Sequence, residues 1–212
     1  MSKFATILDL AKKTIEIEST AIGNLVNLLN NDFAQSVEHI LDSKGRVVIT
    51  GIGKSAIIAT KIVATLNSTG TPAIFMHAGD AIHGDLGTIQ EDDVVICISK
   101  SGSTPEIKML VPLIKRGKNI LIGMTGNVDS FLAQKADFIL NTHVEKEACP
   151  NNLAPTTSTS TQLVMGDALA ICLLELKGFS SKDFAKYHPG GTLGKRLYLT
   201  VDDIVQTNMK PQ

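Results

Sequence analysis

The stretch of sequence that decides the fold is VVICISKSGST, residues 94–104. Its first part, Val94–Ser99, is apolar on both alternating faces, which is typical of a central parallel strand covered by helices on each side. A hydroxyl-rich turn follows, and it ends at Thr104-Pro105, where proline is favoured as the first residue of a helix. The stretch therefore predicts a strand, a polar turn and a helix, which is the unit from which α/β sheets are built.

The same pattern recurs along the chain on both sides of this stretch. Short β-branched runs, each followed by a polar or glycine-containing turn and a helical pattern, lie at Arg46–Thr50, Ala73–His77, Asn119–Thr125 and Asp137–Asn141. With Val94–Ser99 they predict an α/β fold, a three-layer sandwich around a five-stranded parallel sheet.

Helical patterns precede the sheet. Apolar residues recur at helical spacing from Lys3 to about Leu29, and a second helix is predicted over Asp32–Leu41 with Asp32 as its N-cap. We expect residues 1–45 to pack on the core of a main domain that spans residues 46–200.

Two more helices are predicted after the last strand. A hydroxyl run, TTSTS at residues 156–160, leads into an apolar helical pattern that Gly178 ends, and a short helix then ends at His188-Pro189. The hydroxyl run has two readings that the sequence leaves open. It is either a helix N-terminus with redundant capping groups or a set of substrate contacts that includes Thr157 and Ser158.

Composition excludes several classes of function. Of the 212 residues 43% are hydrophobic and 19% are charged, and the net charge of -1 predicts no nucleic-acid partner. The three cysteines form no CxxC pair, so we interpret them as reduced thiols. Charges interrupt the N-terminus every few residues, and no later run is expected to reach membrane-spanning length. We predict a cytoplasmic protein without a membrane partner.

In a parallel sheet the ligand binds beyond the carboxyl ends of the strands, so the first turn, TGIGKS at residues 50–55, is a candidate site. Gly53, Lys54 and Ser55 are its predicted substrate-binding residues, because a glycine turn lets backbone amides approach an anion. A P-loop would need glycine at Val48, and a dinucleotide fold would need an acidic residue where His77 stands. No nucleotide cofactor is therefore expected.

The turn after Val94–Ser99 predicts a phosphate site. Hydroxyl groups and free amides at a helix N-terminus donate hydrogen bonds to an anion, and the helix dipole favours negative charge. One serine would suffice to cap a helix, so the surplus of hydroxyls favours phosphate. The predicted phosphate ligands are Ser99, Ser101, Ser103 and Thr104.

Four titratable residues could carry acid–base chemistry. Glu106 falls in the first turn of a predicted helix, where an acid is also favoured for structural reasons. Glu147 lies in a non-periodic stretch, and His83 and His188 lie beside glycine or proline in loops. Each histidine alone is more typical of a surface residue, but the four together form a credible acid–base set.

At this point the sequence resembles a known family. It is similar to the sugar isomerase (SIS) domain, and within that family to the arabinose 5-phosphate isomerases. The motifs that carry the resemblance run in order from about Arg46 to Leu197: TGIGKS, STGTP, HGDLG, VVICISKSGST, EKEACPNNLAPTTSTS, LVMGDALA and HPGGTLGKRL.

The resemblance implies a flavodoxin-like or Rossmann-like SIS fold assembled as a homotetramer. It implies an isomerase that interconverts ribulose 5-phosphate and arabinose 5-phosphate through an enediol, the first step toward Kdo for lipopolysaccharide or capsule, with no cofactor required. The implied catalytic residues are Lys54, Glu106, Glu147 and His188, and His83 would line the site as a possible ligand for an inhibitory metal. His188 is the first choice for the base, because an unperturbed imidazole titrates near pH ~6.5.

The sequence also departs from the family pattern. Lys100 and Ser103 stand where asparagine and glutamate are typical of relatives, and HAGDAIHGD, residues 77–85, stands where an HPxEAxHGD motif is typical. Many relatives continue into a pair of CBS modules, so residues 201–212 are interpreted as a truncated linker to them. Without those modules, the nucleotide-activated end product CMP-Kdo could act as an inhibitor that binds the active site.

Two alternative functions stay open. The chain could isomerise another phosphosugar, or it could be a non-catalytic sensor of a sugar phosphate or sugar nucleotide, as in SIS-containing transcription regulators. Such regulators carry a helix-turn-helix before the SIS domain. The first 45 residues here contain no basic recognition helix, which argues against the sensor.

Overall fold

A computed structural model describes residues 2–189, and in that range it contains eight α-helices and five strands. In chain order the elements are α1 (Lys3–Leu28), α2 (Asn31–Asp42), β1 (Val47–Gly51), α3 (Lys54–Ser68), β2 (Ala73–His77), α4 (Ala78–Ala81), a 3-10 turn (Asp85–Thr88), β3 (Val94–Ser99), α5 (Pro105–Arg116), β4 (Leu121–Thr125), α6 (Phe131–Lys135), β5 (Phe138–Asn141), α7 (Thr157–Leu176) and α8 (Ser181–Tyr187).

All the strands are parallel, and their order in the sheet is β2-β1-β3-β4-β5, which confirms the predicted five-stranded sheet. Val48 of β1 is paired with Ile74 of β2 on one side and with Val95 of β3 on the other. The chain leaves β1 for one edge of the sheet and returns to β3 on the other side of β1. The carboxyl ends of β1 and β3 therefore flank the point where strand order reverses, which is where open α/β sheets bind ligands.

Apolar side chains fill both faces of the sheet. Ile49 points into a core covered by α1, α2, α3 and α7, and its neighbour Val48 points into a second core on the opposite face. Both are fully buried, and burying a side chain of this size stabilises the fold by roughly 1.5–3 kcal/mol. On the first face α3 and α7 approach closely. Gly166 of α7 allows this approach, because the side chain of Ile62 in α3 occupies the space that a Cβ at Gly166 would need.

Several predicted element boundaries differ from the structure by one or two residues, and at the starts of α2 and β1 tertiary contacts explain the difference. Asn30, not Asp32, caps α2 by accepting the amide of Asp32 at 3.0 Å. The Asp32 carboxylate instead accepts the amide of Ile139 in β5 at 2.9 Å. Strand β1 begins one residue after Arg46, whose guanidinium pairs with the buried carboxylate of Asp93 at 3.1 Å.

Helix α7 reaches the length and composition of a membrane span, contrary to the prediction that no run would do so. It packs against α1, α2 and α3 in the core, and core helices of soluble proteins meet the same criteria. The predicted linker at 201–212, and the part of the 46–200 domain beyond residue 189, lie outside the described residues.

Candidate active site

Two helices begin at the switch point without a side-chain cap. Helix α3 follows β1 with Gly53 at its N-cap position, and α5 follows β3 with Thr104 there. The buried hydroxyl oxygen of Thr104 has no hydrogen-bond partner within residues 2–189. Free amides at two helix N-termini and an unpaired hydroxyl are suited to bind an anion.

The loop between β3 and α5, residues 99–104, is fixed by its own hydroxyls, and we call it the serine loop. Ser99 Oγ accepts the amide of Gly102 at 3.1 Å, and Ser103 Oγ accepts the amide of Phe131 in α6, also at 3.1 Å. Both hydroxyl protons stay available for a ligand, and Ser101 is exposed. The loop thus holds the predicted phosphate ligands at one helix N-terminus.

Gly102 gives this loop its shape. Its φ is +62°, and a Cβ there would lie 2.1 Å from Ser130 Oγ and 2.9 Å from Thr125 Oγ1.

We expect Gly102→Ala to lower the free energy of unfolding by about 1–3 kcal/mol and to weaken phosphate binding, because the loop must move to relieve strain and overlap. Urea denaturation and titration with inorganic phosphate measure the two effects. The matched control is Gly23→Ala, since a Cβ at Gly23 in α1 meets nothing within 4 Å. Phosphate binding equal to that of the control would contradict the role of the loop.

Glu147 is the most completely hydrogen-bonded side chain near the site. It lies in the loop between β5 and α7, and 3% of it is exposed. Its Oε1 accepts from Lys100 Nζ at 2.6 Å and from the Ser158 hydroxyl. Its Oε2 accepts the amides of Thr156 at 2.9 Å and Ser158 at 3.1 Å, so this carboxylate caps the N-terminus of α7.

These contacts fix the ionisation of Glu147. Burial acts to raise the pKa of its carboxyl, but the hydrogen bonds from Lys100, Ser158 and Thr156 outweigh burial and lower the pKa to about 2. Before substrate binds, Glu147 is therefore a carboxylate and holds no proton to donate. The structure therefore favours an orienting role for Glu147 over that of a general acid.

The hydroxyls at the start of α7 hold the Glu147 loop. Thr157 and Ser158 are buried, and the Thr157 hydroxyl accepts the amide of Ala148 at 2.9 Å while that of Ser158 binds Glu147. Ser55 donates to the buried amide oxygen of Gln162 at 3.2 Å. Direct contact of these three hydroxyls with substrate stays a prediction, and it would require exchange of the hydrogen bonds that they now make.

Lys54 and Glu106 lie at the starts of the two uncapped helices. Lys54 is exposed and Glu106 is half-buried, and neither makes a side-chain hydrogen bond or ion pair with another described residue. The structure thus brings Lys54, Glu106, Glu147 and the serine loop together at the carboxyl ends of the strands.

Two residues at this edge were missed as site residues. Lys100 lies in the serine loop and pairs with Glu147. His77 ends β2 beside Gly51 of β1, with Nδ1 3.4 Å from Asp80 Oδ2 and no hydrogen bond within the described range. The signal available in the sequence was their position at the carboxyl end of a strand, as its last residue for His77 and directly after it for Lys100.

His83 is exposed in the turn after α4. Among residues 2–189 no three His, Cys, Asp or Glu side chains are grouped to hold a metal ion, so the metal prediction at His83 gains no support from this part of the chain.

His188 lies near the amino ends of the strands, whereas the other predicted site residues lie at their carboxyl ends. Helix α7 starts beside Glu147 and is about 30 Å long, at 1.5 Å for each of its 20 residues. Past its far end, Phe179 packs on Gly70, ahead of the amino end of β2, and stacks on Tyr187 at 5.9 Å. His188 follows Tyr187, so one chain does not bring His188 to Glu147.

An open groove of about 520 Å³ lies between α1 and the segment 143–146. It adjoins Glu147 in sequence but includes neither uncapped helix N-terminus. We therefore place the anion site at the switch point rather than in this groove.

Comparison with known proteins gives consistent matches. The SIS domain family model matches residues 39–172. The arabinose 5-phosphate isomerase KdsD of Pseudomonas aeruginosa is 52% identical over 205 residues, which are 97% of this chain and 63% of that protein. KdsD of Escherichia coli K12 is 48% identical over 92% of this chain and 60% of that protein.

A solved structure of an Escherichia coli CFT073 protein in complex with A5P has a TM-score of 0.85 and 41% identity. The match covers 89% of this chain and all of that one. The chain spans about six tenths of the length of the curated relatives that it matches.

Proposed function

Because this chain belongs to the SIS domain family, we propose that it is an isomerase that interconverts ribulose 5-phosphate and arabinose 5-phosphate. The observation that carries the proposal is the meeting of two uncapped helix N-termini at the switch point, with Lys54 and Glu106 at their first turns. The identity to curated KdsD enzymes and to a protein solved with A5P supports the pentose phosphate as the substrate.

The reaction moves one proton between C1 and C2 of the open-chain sugar and another between their oxygens, through an enediol. Such proton transfers need positioned acids and bases, and they need neither a redox cofactor nor a metal ion. The serine loop would hold the phosphate, and Lys54 would stabilise negative charge on the enediolate oxygen. Glu147 would act as a fixed carboxylate, and His188 is the proposed base.

The position of His188 makes a second copy part of this proposal. We propose that the site takes Lys54, Glu106 and Glu147 from one chain and His188 from a neighbouring chain in a homotetramer. The exposed apolar residues of α1, Phe4, Ile7, Leu8 and Leu10, offer a surface for such assembly.

The cellular role follows from this reaction as a set of proposals. The product would supply Kdo synthesis in the cytoplasm, for lipopolysaccharide or capsule. CMP-Kdo would inhibit by occupying the same site, because its acidic groups suit an anion site formed by helix N-termini.

Deuterium labelling tests the proposed function. Incubation with ribulose 5-phosphate in deuterated water should yield arabinose 5-phosphate with deuterium at C2, because the enediol takes its proton from a group that exchanges with solvent. NMR identifies both the product and the labelled carbon. Ribose 5-phosphate as the product would indicate a different isomerase, and unchanged, unlabelled substrate would favour the sensor.

A further inference from the structure

One cation connects the serine loop with the carboxylate that caps α7. The backbone of Lys100 belongs to the serine loop, and its carbonyl oxygen accepts the amide of Gly126 at 3.0 Å. Its side chain leaves the loop and reaches Glu147, with 2.6 Å between Nζ and Oε1. The two residues are 47 positions apart in sequence, so this contact joins two separate segments of the fold.

The pair is asymmetric in burial. The Glu147 side chain is fully buried, whereas the Lys100 side chain is 45% exposed. An ammonium group has three donors, and Glu147 takes one of them. Lys100 Nζ makes no other hydrogen bond within residues 2–189, so two of its donors are available for a ligand.

The charge of Glu147 is shared among several donors. Besides Lys100, its oxygens accept from two backbone amides and two hydroxyls, all of them from Thr156 and Ser158. The dipole of the 20-residue α7 favours the same negative charge. Four donors besides Lys100 therefore stabilise the Glu147 carboxylate, and Lys100 is one of several groups that compensate its charge.

We propose that Lys100 is a phosphate-binding cation of this site, and that its ion pair with Glu147 holds its ammonium group in place. The inference rests on the proposed function only in taking a sugar phosphate as the ligand. Phosphate binding and the position of Glu147 are then coupled, because both anions share one ammonium group.

The test uses Lys100→Met and Lys100→Arg with inorganic phosphate and with arabinose 5-phosphate as probes. Lys100→Met should weaken the binding of both by about tenfold or more, because a charge-assisted hydrogen bond is lost. It should raise KM by a similar factor and change kcat much less, since phosphate is bound equally in the ground and transition states. Lys100→Arg keeps the charge and should restore binding to within about threefold.

Lys115→Met is the matched control. Lys115 also pairs with a carboxylate at 2.6 Å, that of Asp137. This pair lies at the amino ends of the strands, away from the proposed site. The control should lose no affinity for phosphate. If Lys100→Met lowers the unfolding temperature yet binds phosphate like the control, Lys100 is only a structural partner of Glu147 and the inference is overturned.

Failure of the inference and failure of the proposed function give different results. A wild-type protein that binds phosphate through Lys100 but converts no ribulose 5-phosphate would refute the function and keep the inference. If the wild-type protein is an isomerase and its Lys100→Met variant retains its affinity for phosphate, the inference is refuted and the proposed function is kept.

Discussion

His188→Ala and Lys54→Ala should each reduce turnover of ribulose 5-phosphate by about a thousandfold, and the two variants co-expressed should regain about a quarter of wild-type activity. Each single variant lacks one group that takes part in proton transfer or stabilises the enediolate. In a mixed oligomer, one site in about four would take Lys54 from the His188→Ala chain and His188 from the Lys54→Ala chain. A coupled assay for arabinose 5-phosphate measures the recovery.

The control is a chain that carries both substitutions, co-expressed with His188→Ala. No combination of these two chains contains a complete site, so turnover should stay at the level of the single variant. If native mass spectrometry shows mixed oligomers of the single variants and activity still does not recover, His188 does not act across a subunit boundary.

Glu147→Gln should produce the largest loss of stability of any single substitution at the site. We expect the free energy of unfolding at pH 7 to fall by about 3 kcal/mol, because the amide cannot accept from all the donors that surround the buried carboxylate. The Lys100 ammonium would also lose its partner. Urea denaturation at a fixed protein concentration measures the loss.

The pH dependence of this loss has a definite sign. The pKa of Glu147 is lowered in the folded state, from its ordinary 4.5 to about 2, so ionised Glu147 stabilises the fold above pH 4.5. This contribution disappears as the pH falls toward 2. The difference in the free energy of unfolding between wild type and Glu147→Gln should therefore narrow through that window. The control variant, Glu145→Gln at an exposed position, should be as stable as wild type at every pH. A gap that stays constant from pH 7 to 3 would show that the carboxyl is not ionised in the way proposed.

The sheet could be predicted from sequence because the residues that specify each strand lie close together along the chain. Runs such as Val94–Ser99 are apolar on both faces, and the turn signals around them are close in sequence. The structure gives Ala73–His77 and Val94–Ser99 with the predicted bounds. The cap of α2 was missed because Asn30 and Asp32 are equally good N-caps, and the choice depends on Ile139 in a distant strand.

The site could be predicted only in part, for a similar reason. Residues that follow strands, such as Lys54 and Ser101, could be identified because the topology brings strand ends together. The pairing of Lys100 with Glu147 has no local signature, since only the folded chain joins them. The position of His188 depends on the direction in which α7 crosses the sheet, and motif order along the chain carries no information about it.

The carboxylate that caps α7 also bears on when the site forms during synthesis. Its partners come from the segment after β3 and from the first turn of α7, so they emerge from the ribosome at different times. Contacts between segments far apart in sequence form late, because the chain between them must first be ordered. A nascent chain that ends before Ser158 contains the residues of all five strands but lacks the hydroxyl and amide of Ser158 that bind Glu147. The site is therefore complete only after the first turn of α7 has been synthesised.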